Sequence, residues 1–544
     1  MPSVNHTQRT TGLRYWMLRV LEECDRVAAG FEPDPVHDLR VSLRRCRSLA
    51  DGIGVLDPDP GWKAMRKAGK RLFQRLGALR DIHIMIEWVN KLSAKALPST
   101  DSQPHLNPPK EPAGLGMHEL RESRESAAGA EPAATDPAAD ALLKILASRE
   151  KEQKLEAQAA LEEFDRKQWR HWSKSLPARA ARIRLGSALF KHLALERWTE
   201  ARALHTRALR NRSQTAWHSL RIGIKRFRYI VENFLPAEHK AWSDDLKAMQ
   251  DLLGEVHDLD VLWATATSCH VFPDNDSRRR WRQRILAERK KRLDHYRSRM
   301  VGSDSLWKVW RAALPHGKQI QALATRRMKM WAGGLDPDFA HSERVASLAL
   351  QLYDGLLASG WQPAADGISG RSSLLAAALL HDVGKSKGDK GHHKTSFDLI
   401  RAHGAPHGWN PADLQRAAIV ARFHRGALPT RKHKCLRDLL PHEQKAAIQL
   451  AAVLRLANAL DAAHDGHIRR IQIENGEPGS GSRRIRLNTR NNGFAPQPLR
   501  VNRNQPIFIA AEGYSPLGPS ARTIAAERHL LETVLRRPVV VKAH

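Results

Sequence analysis

One helix-forming stretch occurs twice in this chain, and the repeat constrains the fold more than any other feature. Residues 36–47, VHDLRVSLRRCR, and residues 217–228, WHSLRIGIKRFR, align at an offset of 181. On a helix, His37, Arg40, Arg44 and Arg47 fall within a sector of about 80°. His218, Arg221, Lys225 and Arg228 repeat those positions, and Leu39, Leu43 and Cys46 are answered by Leu220, Ile224 and Phe227. Each copy therefore reads as a helix with one stripe that packs and one that is cationic. The repeat continues downstream: QRLGALRDIHI (74–84) matches DLLGEVHDLDV (251–261) at an offset of 177, with Gly77 answering Gly254 and Asp81 answering Asp258. Lys63 and Lys70 answer Lys240 and Lys247 at the same offset, seven residues apart in each pair and so on one helical face. Each half therefore offers two basic helices, and the expected architecture is mainly all-α.

A single basic stripe is ordinarily solvated surface. Two copies with matched cation positions, a leading histidine and no carboxylate on the stripe suggest a surface for a polyanion. The whole chain agrees: 89 Lys and Arg against 58 Asp and Glu leave a formal charge of +31, an excess that repels itself unless a polyanion is at hand. Nucleic acid, anionic membrane and polyphosphate all qualify. Arginine forks suit phosphate oxygens. Sequence-tolerant binding of single strands needs aromatic platforms, and no aromatic lies on the two stripes themselves, which favours a bare phosphate chain over nucleic acid.

HDLRVSLRRCR, HSLRIGIKRFRY and the two LG…D segments resemble the CHAD family, the conserved histidine α-helical domain, over about residues 8–312. The resemblance implies two pseudo-symmetric helical bundles around a basic groove that binds inorganic polyphosphate. It carries that role to His37, Arg40, Arg44, Arg47, His218, Arg221, Lys225 and Arg228, and less directly to Lys63, Lys70, Lys240 and Lys247. Residues 98–137 interrupt the match; rich in Pro, Gly, Ser and Ala, they are expected to be a disordered insertion.

A Pro-His-Gly break at 315–317 marks the expected boundary to a second helical block, 318–466. Here LLAAALLHDVGK (374–385) is an apolar helix that ends in His381 and Asp382, followed by Gly384 and Lys385. His341 opens HSERVASLALQLY upstream; His393, His424 and Asp461 follow downstream. A lone histidine on a helix is usually structural. A His-Asp pair closing an apolar helix is harder to bury unless both groups are used, and His and Asp supply the N and O ligands that hydrolytic divalent metals accept.

These residues look like the HD metal-dependent phosphohydrolase superfamily, with its H…HD…D pattern. The likeness implies a divalent metal (Mn, Mg, Co or Fe) on His341, His381, Asp382 and Asp461, with His393 and His424 completing a second site. Catalytic roles are expected for Asp382, shared between the ions, and for Lys385 and Arg425, which flank two of the ligands and can neutralise charge on the phosphoryl oxygens. From about residue 318 onward the chain resembles the C-terminal region of exopolyphosphatase/guanosine-pentaphosphatase proteins. Their actin-like ATPase-type domain does not precede it here, so exopolyphosphatase activity does not carry over. The GYP signature of cyclic dinucleotide hydrolases is missing after His424.

Residues 467–544 change period and are expected to form a small α+β extension. HIRRIQIE (467–474) and RRIRLNT (483–489) read as a hairpin around a turn-rich loop; PIFIAA and PVVVKA are further strands, with a helix near 520–536 between them. Four scattered cysteines, the absence of an apolar run at the start and the lack of any membrane-length apolar stretch suggest a cytoplasmic protein, one that could associate with polyphosphate granules. The expected function is polyphosphate binding joined to metal-dependent hydrolysis of polyphosphate or a phosphorylated nucleotide. The alternative is a non-catalytic polyphosphate-binding or localising protein whose HD region is structural or regulatory.

Overall fold

The structure, a computed structural model, describes residues 12–94, 136–365, 367–475 and 505–544. The chain divides into two compact units, one of residues up to 54 and 60–314, the other of residues 55–59 and 315–544. Among the described residues the architecture is all-α apart from one small sheet near the C-terminus. Among the described residues no helix is long and apolar enough to cross a membrane.

Unit 1 runs α1 (Leu13–Ala28), α2 (Pro33–Ile53), α3 (Pro60–Ala68), α4 (Lys70–Ala94), α5 (Pro137–Glu162), α6 (Arg166–Ala180), α7 (Ala188–Asn211), α8 (Gln214–Phe234), α9 (Pro236–Ser268), α10 (Asn275–Met300) and α11 (Leu306–Ala312). The duplicated stretch is α2 in the first copy and α8 in the second. Both begin on strong start signals: Pro33 at the first turn of α2, and Ser213, whose hydroxyl accepts from the Ala216 N–H at 3.2 Å, capping α8. Leu39, Leu43, Cys46, Leu220, Ile224 and Phe227 are all fully buried, so the apolar stripe packs in both copies. The next helix differs between copies. In the second, α9 is one continuous helix of 33 residues; in the first, α3 and α4 break at Gly69, where an added Cβ would press on Leu43 at 3.2 Å. Residues 98–135 of the expected insertion lie outside the described residues. Its last two residues are ordered differently from the expectation: Asp136 accepts from the Ala138 N–H at 3.1 Å and Pro137 opens α5, a capped helix start.

Unit 2 runs α12 (Lys318–Gly333), α13 (Phe339–Ala358), α14 (Gly367–Leu380), a 3₁₀ turn (Val383–Lys387), α15 (His392–His403), α16 (Pro411–Arg422), α17 (Lys434–Arg437), α18 (Pro441–Leu460), β1 (Ile471–Asn475), β2 (Ile507–Ala511), α19 (Ala521–Leu535) and β3 (Val539–Ala543). The C-terminal halves of α14 and α18 are apolar on nearly every face because they run through the centre of one core, which also takes in Ile471, Ile509 and Val539 of the sheet. β1 pairs antiparallel with β2 (Ile473 opposite Ile509), and β2 pairs parallel with β3 (Ile509 opposite Val541), with α19 as the crossover. The expected partner of β1, 483–489, lies outside the described residues. Gly355 lets α13 lie on β1, since a Cβ there would meet Ile473 Cγ1 at 2.5 Å.

Candidate metal centre and basic face

Asp382 follows α14 and caps the start of the 3₁₀ turn, 3% exposed, and four imidazoles surround it. Three histidines share one arrangement. His381 Nδ1 lies 2.8 Å from the Ala378 carbonyl, His392 Nδ1 2.8 Å from that of Asp389, and His424 Nδ1 2.8 Å from that of Ala421. A carbonyl only accepts, so each Nδ1 carries the proton and each Nε2 keeps a lone pair. Those lone pairs converge on Asp382: His392 Nε2 is 3.1 Å and His424 Nε2 3.5 Å from Oδ1, and His381 Nε2 is 3.4 Å from Oδ2. His392 Nε2 and His424 Nε2 are 3.2 Å apart. His381 Nε2 and Asp382 Oδ1 are buried with no hydrogen-bond partner. Burial pushes His381 and His424 down, and His424 well down, so both are neutral. Burial pushes the Asp382 carboxyl up and the Lys385 ammonium on Oδ2 pulls it down; the net direction is down. Lys385 Nζ contacts Asp382 Oδ2 at 2.5 Å.

Two potential ligand groups meet here: His341, His381 and Asp382; and Asp382, His392 and His424. Asp382 belongs to both. Buried acceptors with no donor to answer them suit a divalent cation, and the backbone carbonyls behind the rings are the support that metal-binding histidines need.

Two expected ligands are placed otherwise. His393 is only half-buried, while its neighbour His392 is 1% exposed and faces Asp382. One residue turns a helix by about 100°, so the two histidines opening α15 cannot both face inward. Asp461 does not reach Asp382. Its Oδ2 takes His341 Nδ1 at 2.7 Å and Arg344 Nε at 2.9 Å, and its Oδ1 accepts from the Gly466 N–H at 3.1 Å. Arg344, one turn after His341 on α13, neutralises the carboxylate, which therefore orients His341. Arg425 is exposed and acts on His393 rather than on Asp382.

The sequence reading also missed Ser396, Asn458 and His464. Ser396 Oγ donates to the His381 carbonyl at 2.6 Å and accepts from the Gly384 N–H at 2.9 Å, tying α15 to the turn. That approach requires Gly384: an added Cβ would sit 2.1 Å from the His392 carbonyl oxygen. Asn458 Oδ1 lies 3.0 Å from His341 Nε2. His464 stacks on His341 with centroids 3.8 Å apart and reaches Asp338 Oδ2 at 2.7 Å. A serine four residues after His392 was the one legible signal.

In unit 1 the cations of the two repeats come together. Lys225 is pushed down to about 7, by burial first and then by Arg221, Arg44 and Arg40, against the pull of Asp258. Burial, then Arg80, Arg44 and Arg40 push His37 down, and His218, with Nδ1 3.2 Å from His257 Nδ1, is pushed down by burial, Arg221 and Lys225. Arg80 and His257 are themselves equivalent at the 177 offset, so the repeat extends to residues that the stripes alone did not mark. Gly77 and Gly254 lie beside equivalent arginines: an added Cβ would meet Arg40 Nη2 at 3.7 Å in one copy and Arg221 Nε at 3.9 Å in the other. Arg40 Nη1 donates to the Leu76 and Gly77 carbonyls at 3.2 and 3.0 Å.

The cations are less bare than the stripes suggested, because carboxylates from a neighbouring helix and from α8 itself approach them. Asp81 of α4 lies 4.0 Å from Arg40, and Glu232, one turn along α8, lies 3.8 Å from Arg228. Asp258 of α9 is pushed up to about 6, by burial against the pull of Arg221, with Asp81 and Glu255 adding to the rise. Aromatic rings also underlie the arginines: Phe73 beneath Arg40 and Arg47 (5.6 and 4.7 Å) and Tyr229 beneath Arg44 (5.9 Å). They come from neighbouring positions and are covered by guanidinium groups. Lys63, Lys70, Lys240 and Lys247 are exposed.

Family models match two stretches of the chain: the CHAD domain over residues 17–267, and Ppx/GppA phosphatase, domain III, over residues 328–502. Among solved structures, the crystal structure of the CHAD domain from the plant Ricinus communis is similar at 19% identity and a TM-score of 0.32, covering 56% of this chain and 90% of that one. No curated protein matches. The chain carries a CHAD domain followed by a Ppx/GppA phosphatase domain III, a pairing that points to polyphosphate-related function.

Proposed function

We propose that unit 1 binds inorganic polyphosphate on its basic face, and that unit 2 is a metal-dependent phosphohydrolase acting on polyphosphate or a phosphorylated nucleotide. The observation that carries the hydrolase reading is the set of three Nδ1-tethered imidazoles whose Nε2 lone pairs converge on a buried, ionised Asp382. His341, His381, His392, His424 and Asp382 would hold divalent ions such as Mn²⁺, Mg²⁺, Co²⁺ or Fe²⁺, with Asp382 shared between two sites. Such ions, when bound, activate a water and polarise a phosphoryl oxygen.

The chain's own residues contribute the rest. The backbone carbonyls of Ala378, Asp389 and Ala421 keep the rings turned and their Nε2 atoms deprotonated. Asp461 and Arg344 together keep His341 in place. Lys385, 17% exposed beside Asp382, is positioned to meet negative charge on a phosphoryl group. Expected result: phosphate release from polyphosphate or a nucleoside polyphosphate with one of these metals, abolished in Asp382→Ala while polyphosphate binding persists.

One observation favours the non-catalytic reading. Lys385 pairs with Asp382 and Arg344 with Asp461, so both carboxylates have a cation already. Absence of phosphate release with every metal across both substrate classes would select that reading: a polyphosphate-binding protein with a structural second unit.

A further inference from the structure

Asp382 offers one oxygen to each of the two ligand groups, and the two oxygens are not equivalent. Oδ1 is buried with no hydrogen-bond partner. Oδ2 carries the Lys385 ammonium at 2.5 Å.

On the Oδ1 side, His392 Nε2 and His424 Nε2 lie 3.1 and 3.5 Å from the oxygen and 3.2 Å from one another. Carbonyls hold the proton of both rings on Nδ1, so three acceptors face each other with no donor among them. A point roughly 2 Å from all three atoms lies between them, the distance at which divalent ions hold nitrogen and oxygen. A cation there requires no side chain to leave.

On the Oδ2 side, most of the donor set is engaged. Lys385 covers Oδ2, His341 Nδ1 is 2.7 Å from Asp461, and His341 Nε2 has Asn458 Oδ1 at 3.0 Å. Only His381 Nε2, 3.4 Å from Oδ2, is left without a partner. Two cations on one buried carboxylate oxygen repel strongly, so a divalent ion on Oδ2 and the Lys385 ammonium exclude one another. Lys385 has solvent to move into: its side chain is 17% exposed, and residues 386–390 beyond it are exposed.

Given the metal reading of unit 2, on which this rests, we propose that Lys385 is a resident competitor for one of the two ion positions. The position formed by Asp382 Oδ1, His392 and His424 takes a divalent ion with Lys385 in place. The position formed by Asp382 Oδ2, His341 and His381 takes one only after Lys385 has swung away, so the second ion binds more weakly than the first.

The test is equilibrium dialysis of the full chain against Mn²⁺. The first ion should bind at least about 10-fold tighter than any second. Lys385→Met should strengthen the second ion by about 10-fold more than the first, while Lys385→Arg, which keeps a cation beside Asp382, should preserve the gap. His392→Ala should remove the tight ion, and His341→Ala the weak one. Lys385→Met leaves a buried carboxylate without its partner and can fail to fold, so acetylation of the unaltered chain with acetic anhydride gives a second readout. Label on Lys385, measured by mass spectrometry, should rise with the second equivalent of Mn²⁺ and not with the first. Two ions of equal affinity, a second ion indifferent to Lys385→Met, or label that rises with the first equivalent overturns the competitor role and leaves the metal reading standing. No Mn²⁺ bound by the chain in any form overturns both.

Discussion

Lys225 shows how much the basic face gives up to exist without its ligand. Burial and three arginines push its ammonium down to about 7, whereas an unfolded chain would leave it near its ordinary value of 10.5. Between those values the unfolded state holds a proton that the folded state has lost, so this group's contribution to stability rises with pH across that window and its full penalty is present below about 7. A bound phosphate chain reverses the balance by favouring the charged amine. It also favours protonated Asp258, already pushed up to about 6. Polyphosphate binding between pH 6 and 8 should therefore take up protons and weaken as pH rises. Calorimetry in buffers of different ionisation enthalpy measures the uptake. Lys225→Gln should lower both affinity and proton uptake, and should raise the thermal midpoint near pH 6. Binding that is independent of pH, or a lowered midpoint, would contradict this description of the face.

At the scale of elements, Gly384 is the tightest constraint on the candidate metal centre. The 3₁₀ turn can hold Asp382 against α15 only because no Cβ stands between Gly384 and the His392 carbonyl. Gly384→Ala should destabilise unit 2 by more than about 2 kcal/mol, in the range of overpacked core positions, and leave polyphosphate binding by unit 1 intact. Two separate transitions in a thermal melt, with only one of them shifted, would be the signature; an unshifted melt would mean the turn relaxes. Much of this element-level design was legible in the sequence. The duplicated stripes marked α2 and α8, and the HDVGK run marked the turn, because both are local patterns with helical spacing. The exceptions share a cause. Which of His392 and His393 faces inward depends on the helix phase set by packing of α15. Whether Asp461 meets a metal or His341 depends on Arg344, which is 117 residues away in the chain. Two of the carboxylates facing the cations, Asp81 and Asp258, come from α4 and α9, so the stripe alone could not show them. The β1–β2 pairing joins residues 36 apart at its centre and has no local signature.

At the scale of the whole molecule, a CHAD domain with a basic face and a Ppx/GppA phosphatase domain III with a buried His–Asp cluster occupy one chain. The +31 formal charge is concentrated in function by the convergence of two repeats that neither repeat could achieve alone. The second unit gathers nitrogen and oxygen ligands around one carboxylate inside an apolar core. Elemental analysis of the full chain, purified without chelator, tests the central claim most directly. The expected result is one or more divalent metal ions per chain, or their uptake on adding Mn²⁺, lost in Asp382→Ala. Well under one metal per chain, with none gained on adding Mn²⁺, would contradict it and leave the converging imidazoles as a structural core.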